Sequence, residues 1–280
     1  MDVSGRNITS LDCDDLTNNP ELLGNMGYMM VIRAVFDNEP LDVELEEEVR
    51  SLKMKVLYLD GIVQVKDEKR KEAYIAALEH ILYKRESLEG NDWSSGTRRI
   101  AFYDIDRDGN EELMIDHDDG SLAGTKLYIY DYDEESGTVQ NEFCAWPSLT
   151  FYENGVIEAW YSHYNGTANG AEDFWPYILY KYNKATDIYE RIADVDGWYN
   201  AENVRPAYEG GLQFPTEADA DGDGMVYYIN TGDGSTLKTT PVDNDAYNAW
   251  RDSVIGDSKE INFDAIQFIT LPSVGPIPAG

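Results

Sequence analysis

The stretch from Asp104 to Glu112 constrains this chain more than any other part of its sequence. It reads Asp-Ile-Asp-Arg-Asp-Gly-Asn-Glu-Glu, which sets oxygen-bearing side chains at alternate positions around a glycine. A calcium loop uses this spacing, with oxygen ligands at positions 1, 3, 5 and 9 and a backbone carbonyl at position 7. Gly109, at position 6, permits the sharp turn. The predicted Ca²⁺ ligands are Asp104, Asp106, Asp108, the carbonyl of Asn110, and Glu112.

A second, shorter copy of this pattern begins at Asp219 and ends at Gly224. Its predicted ligands are Asp219, Asp221, Asp223 and the carbonyl of Met225. Position 9 is Tyr227, which has no carboxylate, so a remote acid such as Glu217 or Asp233 has to complete this site. The alternative is an Asp-Gly turn that binds no metal.

The surroundings of the first loop separate it from a helix-loop-helix calcium site. It lies between two strand-like runs, and position 12, where such a site carries a bidentate acid, is Ile115. It is similar to the Asp-x-Asp-x-Asp-Gly loops of calcium-binding propeller repeats and dockerin-like modules, in which the ion holds a turn. The alternative is an acidic hairpin turn without metal.

Composition limits the partners of the chain. Its 54 acidic and 22 basic residues give a formal charge of −32, which repels nucleic acid and anionic membrane surfaces. The sequence has no run of about 18 apolar residues, so no membrane span is predicted. The first thirty residues lack the basic-then-apolar order of a signal peptide, so the sequence is expected to begin after a removed signal. With 42% hydrophobic residues, the chain has enough apolar surface for one large domain or two smaller ones.

Apolar periodicity predicts an α+β fold, with N-terminal helices followed by a mainly antiparallel β-sheet meander, the calcium loops and a C-terminal helix. Helices are predicted over residues 20–36, 40–60, 67–88 and 245–254. From residue 98, aromatic and β-branched runs alternate with turn residues, as in antiparallel strands. The predicted regions are 1–92, helical; 93–271, β-rich and calcium-binding; and 272–280, an extended tail.

Several segments together carry a resemblance to a known group of proteins. They are Ala101 to Asp106, Glu112 to Ile115, Leu149 to Val156, Phe174 to Tyr177 and Leu179 to Tyr182. Across residues 70–255 the chain resembles uncharacterised secreted proteins and lipoproteins of gut Firmicutes (Clostridia). The resemblance implies an extracellular, calcium-stabilised α+β module and supplies no catalytic residues. The first sixty or so residues do not match it.

Two aromatic clusters, at residues 160–164 and 174–177, suggest a ligand surface. Aromatic rings stack on the apolar faces of sugars, so a carbohydrate platform is predicted from Trp160, Tyr164, Trp175 and Tyr177. The alternative is that these rings belong to the core, because strands favour aromatic residues in any case.

Signals for catalysis are weak. Cys144 and His163 have the residue types of a thiol catalyst, but residue types alone do not establish its geometry. No pair among the 54 acids stands out as a glycosidase pair. Cys13 and Cys144 would form one disulfide in an oxidising compartment or remain two thiols.

The sequence thus predicts an extracellular or cell-surface attached calcium-binding module that is non-catalytic and binds a glycan or a protein partner. One alternative is a calcium-stabilised hydrolase, a glycosidase or a peptidase. The other is a structural spacer.

Overall fold

The structure is a computed structural model that describes residues 2–3, 6–7, 59–121, 124–161, 174–200, 213–232 and 239–271. The described residues fall into two compact units. The first contains those of residues 1–94 and 134–139, and the second contains those of residues 95–133 and 140–272. The helix predicted over residues 20–36, nearly all of the one over 40–60 and the predicted tail lie outside the described residues.

The first unit contains the helix predicted over residues 67–88, which spans Glu68–Lys84 (α2). Asp67 caps it by accepting a hydrogen bond from the backbone N–H of Arg70 (2.9 Å). The helix ends at Arg85, which adopts a left-handed conformation. Its buried apolar residues are Tyr74, Ile75, Ala77, Leu78, Ile81 and Leu82. The other described elements of this unit are α1, Asp60–Ile62, and a two-stranded ladder of β1, Asp2–Val3, and β2, Arg6–Asn7.

The second unit contains two five-stranded antiparallel sheets, except that Thr138 and Val139, at the start of one strand, are grouped with the first unit. The first sheet has the order β12-β3-β4-β5-β6. Its strands are β3, Thr97–Tyr103; β4, Glu112–Asp118; β5, Lys126–Asp133; β6, Thr138–Ala145; and β12, Ile269–Thr270. Strands β3 and β4 form a hairpin in which Tyr103 pairs with Glu112. The first acidic loop therefore closes this hairpin.

The second sheet follows chain order, β11-β10-β9-β8-β7. Its strands are β7, Leu149–Phe151; β8, Val156–Trp160; β9, Tyr177–Asn183; β10, Ile188–Tyr199; and β11, Met225–Asn230. The pairing of β10 with β9 shifts register between Arg191 and Ala193. The second acidic loop leads directly into β11.

The two sheets share one hydrophobic core. Met114, Ile129 and Phe143 of the first sheet cluster with Ile157 and Tyr189 of the second. The core also contains Ala101, Ile105, Leu127, Phe151, Ala159 and Ile261. The sheets are thus two layers of a sandwich.

A helix forms a third layer on the second sheet. This helix, α3, spans Asn244–Val254, one residue longer at its start than predicted. Its Tyr247 is buried in a cluster with Tyr177, Leu179 and Val195. Its ring stacks on that of Tyr227, with 4.1 Å between the ring centroids.

The predicted α+β class, antiparallel pairing and C-terminal helix are confirmed. The expected single meander is divided into two sheets, and the late strand β12 joins the first sheet beside β3. Alternation of apolar residues indicates a strand but not the sheet that it joins, because that depends on partners distant in the chain. No helix among the described residues is long and apolar enough to cross a membrane.

Candidate metal centre

The backbone of the first loop folds through local hydrogen bonds. The N–H of Asp108 donates to Asp106 Oδ1 (2.8 Å), and the N–H of Asn110 donates to Asp108 Oδ1 (2.7 Å). Arg107 and Gly109 both have positive φ, 66° and 104°. At Gly109 this conformation favours glycine, because the Cβ of any other residue would be strained against its own backbone.

Four side chains predicted as ligands converge in this loop. Asp104, Asp106, Asp108 and Glu112 each offer a carboxylate oxygen, and these oxygens lie within 4.8 Å of one another. Glu112 is 1% exposed, and its Oε2 accepts the N–H of Ile105 (2.6 Å). Its Oε1 and Asp104 Oδ1 are buried without a hydrogen-bond partner. The loop thus concentrates acidic oxygens, two of which lack the hydrogen bonds that buried polar atoms normally make.

Asn110, whose backbone carbonyl is the predicted ligand, also contacts Asp108 through its side chain. Its Nδ2 donates to Asp108 Oδ2 (2.9 Å), so Asn110 bonds Asp108 through both its backbone and its amide. These bonds orient the Asp108 carboxylate within the loop.

The electrostatics of the loop disfavour the ionised forms of Glu112 and Asp106. Burial, followed by the charge of Asp106, raises the pKa of Glu112 to about 9. Burial also raises the pKa of Asp106. The adjacent Arg107 donates to the carbonyl of Asp104 (3.3 Å) and to the hydroxyl of Tyr103 (3.2 Å) instead of to a carboxylate of the group. Among the described residues, no lysine or arginine is therefore ion-paired with these carboxylates.

Two further acids join this group, and neither was predicted from the sequence. Glu142 on β6 and Asp187 in the turn between β9 and β10 have carboxylate oxygens within 4.8 Å of each other and of Asp106. Asp187 accepts a hydrogen bond from the hydroxyl of Tyr182 (2.5 Å). Glu142 lies in a strand and Asp187 in a hairpin turn, and nothing in their local sequence resembles a metal motif.

The second loop also gathers acids, in a different set from the one predicted. Asp219 and Asp221 are grouped with Asp243, which immediately precedes α3. Asp243 Oδ2 accepts the N–H groups of Ala220 (3.1 Å) and Asp221 (3.2 Å). Asp219 Oδ1 and Asp243 Oδ1 are buried without a partner. The acid that joins the second loop from elsewhere in the chain is therefore Asp243.

The remaining residues predicted for the second loop have other positions. Asp223 is exposed, is not part of the acid group, and accepts the N–H of Met225 (2.7 Å). Met225 is buried and begins β11. Glu217 is exposed and outside the group, and Asp233 lies outside the described residues.

Two of the four residues predicted for the aromatic platform, Trp160 and Trp175, lie together. Trp160 and Trp175 line an open recess of roughly 460 Å³. Its other lining residues are Trp146, Ser148 and Tyr161. Trp175 is 41% exposed, and its Nε1–H donates to the carbonyl of Tyr161 (2.8 Å). Trp146 was not predicted, because it follows β6 and is distant in sequence from the two aromatic clusters.

The other two aromatic candidates do not line this recess. Tyr177 is fully buried, and its hydroxyl is hydrogen-bonded to that of Tyr247 (2.9 Å), so its ring has no exposed face for a ligand. Tyr164 lies outside the described residues, as do His163 and Cys13. Cys144 is half-buried on β6.

The chain matches no protein-family model, and no curated protein or solved structure is significantly similar to it. The resemblance to secreted proteins of gut Firmicutes stays a prediction. Function is therefore inferred from the residues and geometry of the sites themselves.

Proposed function

We propose that this chain is a non-catalytic, calcium-binding module of the cell exterior, in which an ion held by the Asp104–Glu112 loop stabilises the fold. The observation that carries this proposal is the convergence of four carboxylates that include two buried oxygens without partners. A cation would give those oxygens the interactions that they lack.

The donor set favours calcium over other common metal ions. The group contains oxygen donors and neither histidine nor cysteine, which disfavours zinc and softer metals. Calcium accepts six to eight oxygens in flexible geometry, whereas magnesium requires a near-ideal octahedron. A loop with acids at positions 1, 3, 5 and 9 suits the more adaptable ion.

The burial of the group favours a structural role over a catalytic one. Asp106 and Glu112 are both buried, and the loop joins the ends of β3 and β4. A polysaccharide or peptide chain would not reach these two carboxylates, whereas Asp104 and Asp108 are half-buried. This argues against the hydrolase alternative for these acids, and an ion here would instead fix the hairpin.

An extracellular setting is consistent with such a site. Extracellular calcium modules bind their ion with dissociation constants near 10⁻⁴–10⁻³ M. The formal charge of −32 favours solubility and the accumulation of cations near the surface. We therefore place the module outside the cell or attached to its surface.

The partner that we propose is a carbohydrate. Three tryptophans, Trp146, Trp160 and Trp175, line one open recess, and indole rings stack on the apolar faces of sugars. A protein partner is the alternative; we favour a sugar because three tryptophans line one shallow, open recess. A structural spacer has no need of this recess.

Calcium titration of the chelator-treated protein tests the proposed ion. We expect binding by calorimetry and a rise in melting temperature, because an ion at 100 times its dissociation constant stabilises the folded state by about 2.7 kcal/mol. Asp104→Asn should weaken binding at this site at least tenfold and leave the melting of the chelated protein nearly unchanged. The matched control is Asp257→Asn, at an exposed aspartate outside the acid groups. Equal calcium affinity in both variants and the parent would contradict the proposal.

A glycan array followed by titration of the bound sugar tests the recess. We expect Trp175→Ala to abolish binding while the melting temperature stays close to that of the parent. Tyr199→Ala is the control, since Tyr199 is 38% exposed and does not line the recess. Retention of sugar binding by Trp175→Ala would exclude the recess as the site.

A further inference from the structure

Among the described residues outside the first acidic loop, two glutamates, Glu142 and Glu158, are buried in strands of the sandwich. Their hydrogen bonding differs. Glu158 on β8 is buried, but it accepts hydrogen bonds from the guanidinium of Arg251 (2.7 Å) and from the hydroxyl of Tyr152 (2.8 Å). Glu142 is 5% exposed, and both of its carboxylate oxygens are buried without a partner. A buried carboxylate without any partner is costly, so Glu142 requires an explanation.

The surroundings of Glu142 are acidic. Carboxylate oxygens of Asp106 and Asp187 lie within 4.8 Å of one of its own. The hydroxyl of Tyr189 is also buried without a partner, and burial, followed by the charges of Asp106 and Glu142, raises its pKa. The buried oxygen atoms without partners thus come from both sheets, from Glu142 on β6 and from Tyr189 on β10.

The negative charge of the carboxylates around Asp106 exceeds what one divalent ion neutralises. The loop group and the Glu142 group share Asp106 and together contain six carboxylates. In the part of the chain that the structure describes, none of the six is ion-paired with lysine or arginine. A single divalent ion in the loop would compensate only two of these charges.

We propose that a second hard divalent cation, calcium in the extracellular setting, is bound by Asp106, Glu142 and Asp187, with Asp106 bridging it to the ion of the loop. This inference rests on the proposed function, because the bridging carboxylate belongs to the first site. The second ion joins β6 of one sheet to the β9–β10 turn of the other. It is therefore a link between the two layers of the sandwich, whereas the first ion holds a single hairpin.

A proton on Glu142 is the competing explanation, and it accounts for less. Protonation removes the charge, but the neutral carboxyl then has a donor and an acceptor that still need partners in a buried position. A cation compensates the charge and engages the oxygens at the same time. It also draws on Asp187, whose only side-chain hydrogen bond in the described structure comes from Tyr182.

The number of bound ions tests this inference. Asp221→Asn in the full chain serves as the background. It removes an acid of the second loop, so that the ions counted are those bound around Asp106. Native mass spectrometry and calorimetry in calcium should show two ions at the centre in this background and one after a further Glu142→Gln. The matched control is Glu158→Gln, which also removes a buried carboxylate but should retain two ions.

Manganese gives a second readout that depends on the bridge. Two Mn²⁺ ions joined by one carboxylate should produce an exchange-coupled electron paramagnetic resonance spectrum, and Glu142→Gln should reduce it to that of an isolated ion. If Glu142→Gln does not fold, Asp187→Asn, in a less buried turn, should cause the same loss of one ion.

The possible results separate this inference from the proposed function. One bound ion in the background protein, unaffected by Glu142→Gln or Asp187→Asn, would overturn the second position and leave the loop site in place. No bound ion would overturn both. Two ions without exchange coupling would contradict the bridging role of Asp106.

Discussion

At the scale of single residues, the buried acids make the metal-free fold sensitive to pH. The pKa of Glu112 is raised to about 9 and that of Glu142 to about 10, in both cases mainly by burial. For Glu142 the charges of Glu112 and Asp187 contribute next. The unfolded chain loses these protons near the ordinary glutamate pKa of about 4.3. Between that pH and about 9, the folded state therefore binds more protons than the unfolded state, and its stability falls as the pH rises.

We accordingly expect the chelator-treated protein to be more stable at pH 5 than at pH 8. Each of the two groups contributes a slope of up to about 1.4 kcal/mol per pH unit to the free energy of unfolding. Urea unfolding across this range measures the slope, and Glu142→Gln should reduce it. Saturating calcium should also reduce it, because the ion replaces the protons. A slope that Glu142→Gln leaves unchanged would show that Glu142 ionises normally in the fold.

At the scale of elements, the β3–β4 hairpin depends on its acidic loop. Hydrogen bonds between neighbouring residues set the conformation of this loop, whereas acids from distant parts of the chain add to its charge. The loop is folded by bonds between neighbours, such as that from the N–H of Asp108 to Asp106. Its acids also meet Glu142 from another strand and Asp187 from the other sheet. The hairpin is therefore expected to form its turn without metal and to gain rigidity when the ion binds.

Gly109→Ala tests the local contribution to this loop. Gly109 has φ of 104°, and the position that an alanine methyl group would take has no neighbouring atom within 4 Å, so the cost of alanine is conformational strain and not a clash with neighbours. We expect a loss of about 1–2 kcal/mol in unfolding free energy and weaker calcium binding. Gly61→Ala is the control, because Gly61 also has open space around its methyl position but no positive φ. Chemical unfolding with and without calcium measures both effects, and equal stability of the two variants would count against strain in the loop.

At the scale of the whole molecule, the excess of negative charge opposes compaction. A formal charge of −32 creates repulsion throughout the folded protein, which salt screens and which the proposed calcium ions would relieve in part. Chelated protein is therefore expected to depend on ionic strength more strongly than calcium-loaded protein.

Melting curves in NaCl test this expectation. Raising the salt from low concentration to about 0.5 M, where the Debye length is well below 10 Å, should raise the melting temperature of chelated protein by about 3 °C for each 1 kcal/mol of repulsion removed. The calcium-loaded protein should show a smaller rise. A melting temperature of the chelated protein that does not change with salt would indicate that the charges lie too far apart to affect stability.

Features formed by residues close together in the chain were open to prediction from the sequence. Asp67 caps α2 three residues before Arg70, and the periodic stripe of that helix follows from its own sequence. The hairpin between β3 and β4, with its acidic loop, was likewise visible in a single run of residues.

Features formed by residues far apart in the chain were decided by the tertiary structure alone. Glu142 and Asp187 join Asp106, Asp243 joins the second loop, and Trp146 joins Trp175 in one recess. Tyr177, predicted as part of the carbohydrate platform with a core position as the alternative, is buried against Tyr247. The physical reason is that spacing along the chain sets local conformation, whereas sheet pairing and layer packing set which distant side chains meet. The sequence by itself thus determined the α+β class and the acidic loops, and the packing of the two sheets and of α3 decided which acids surround each candidate ion.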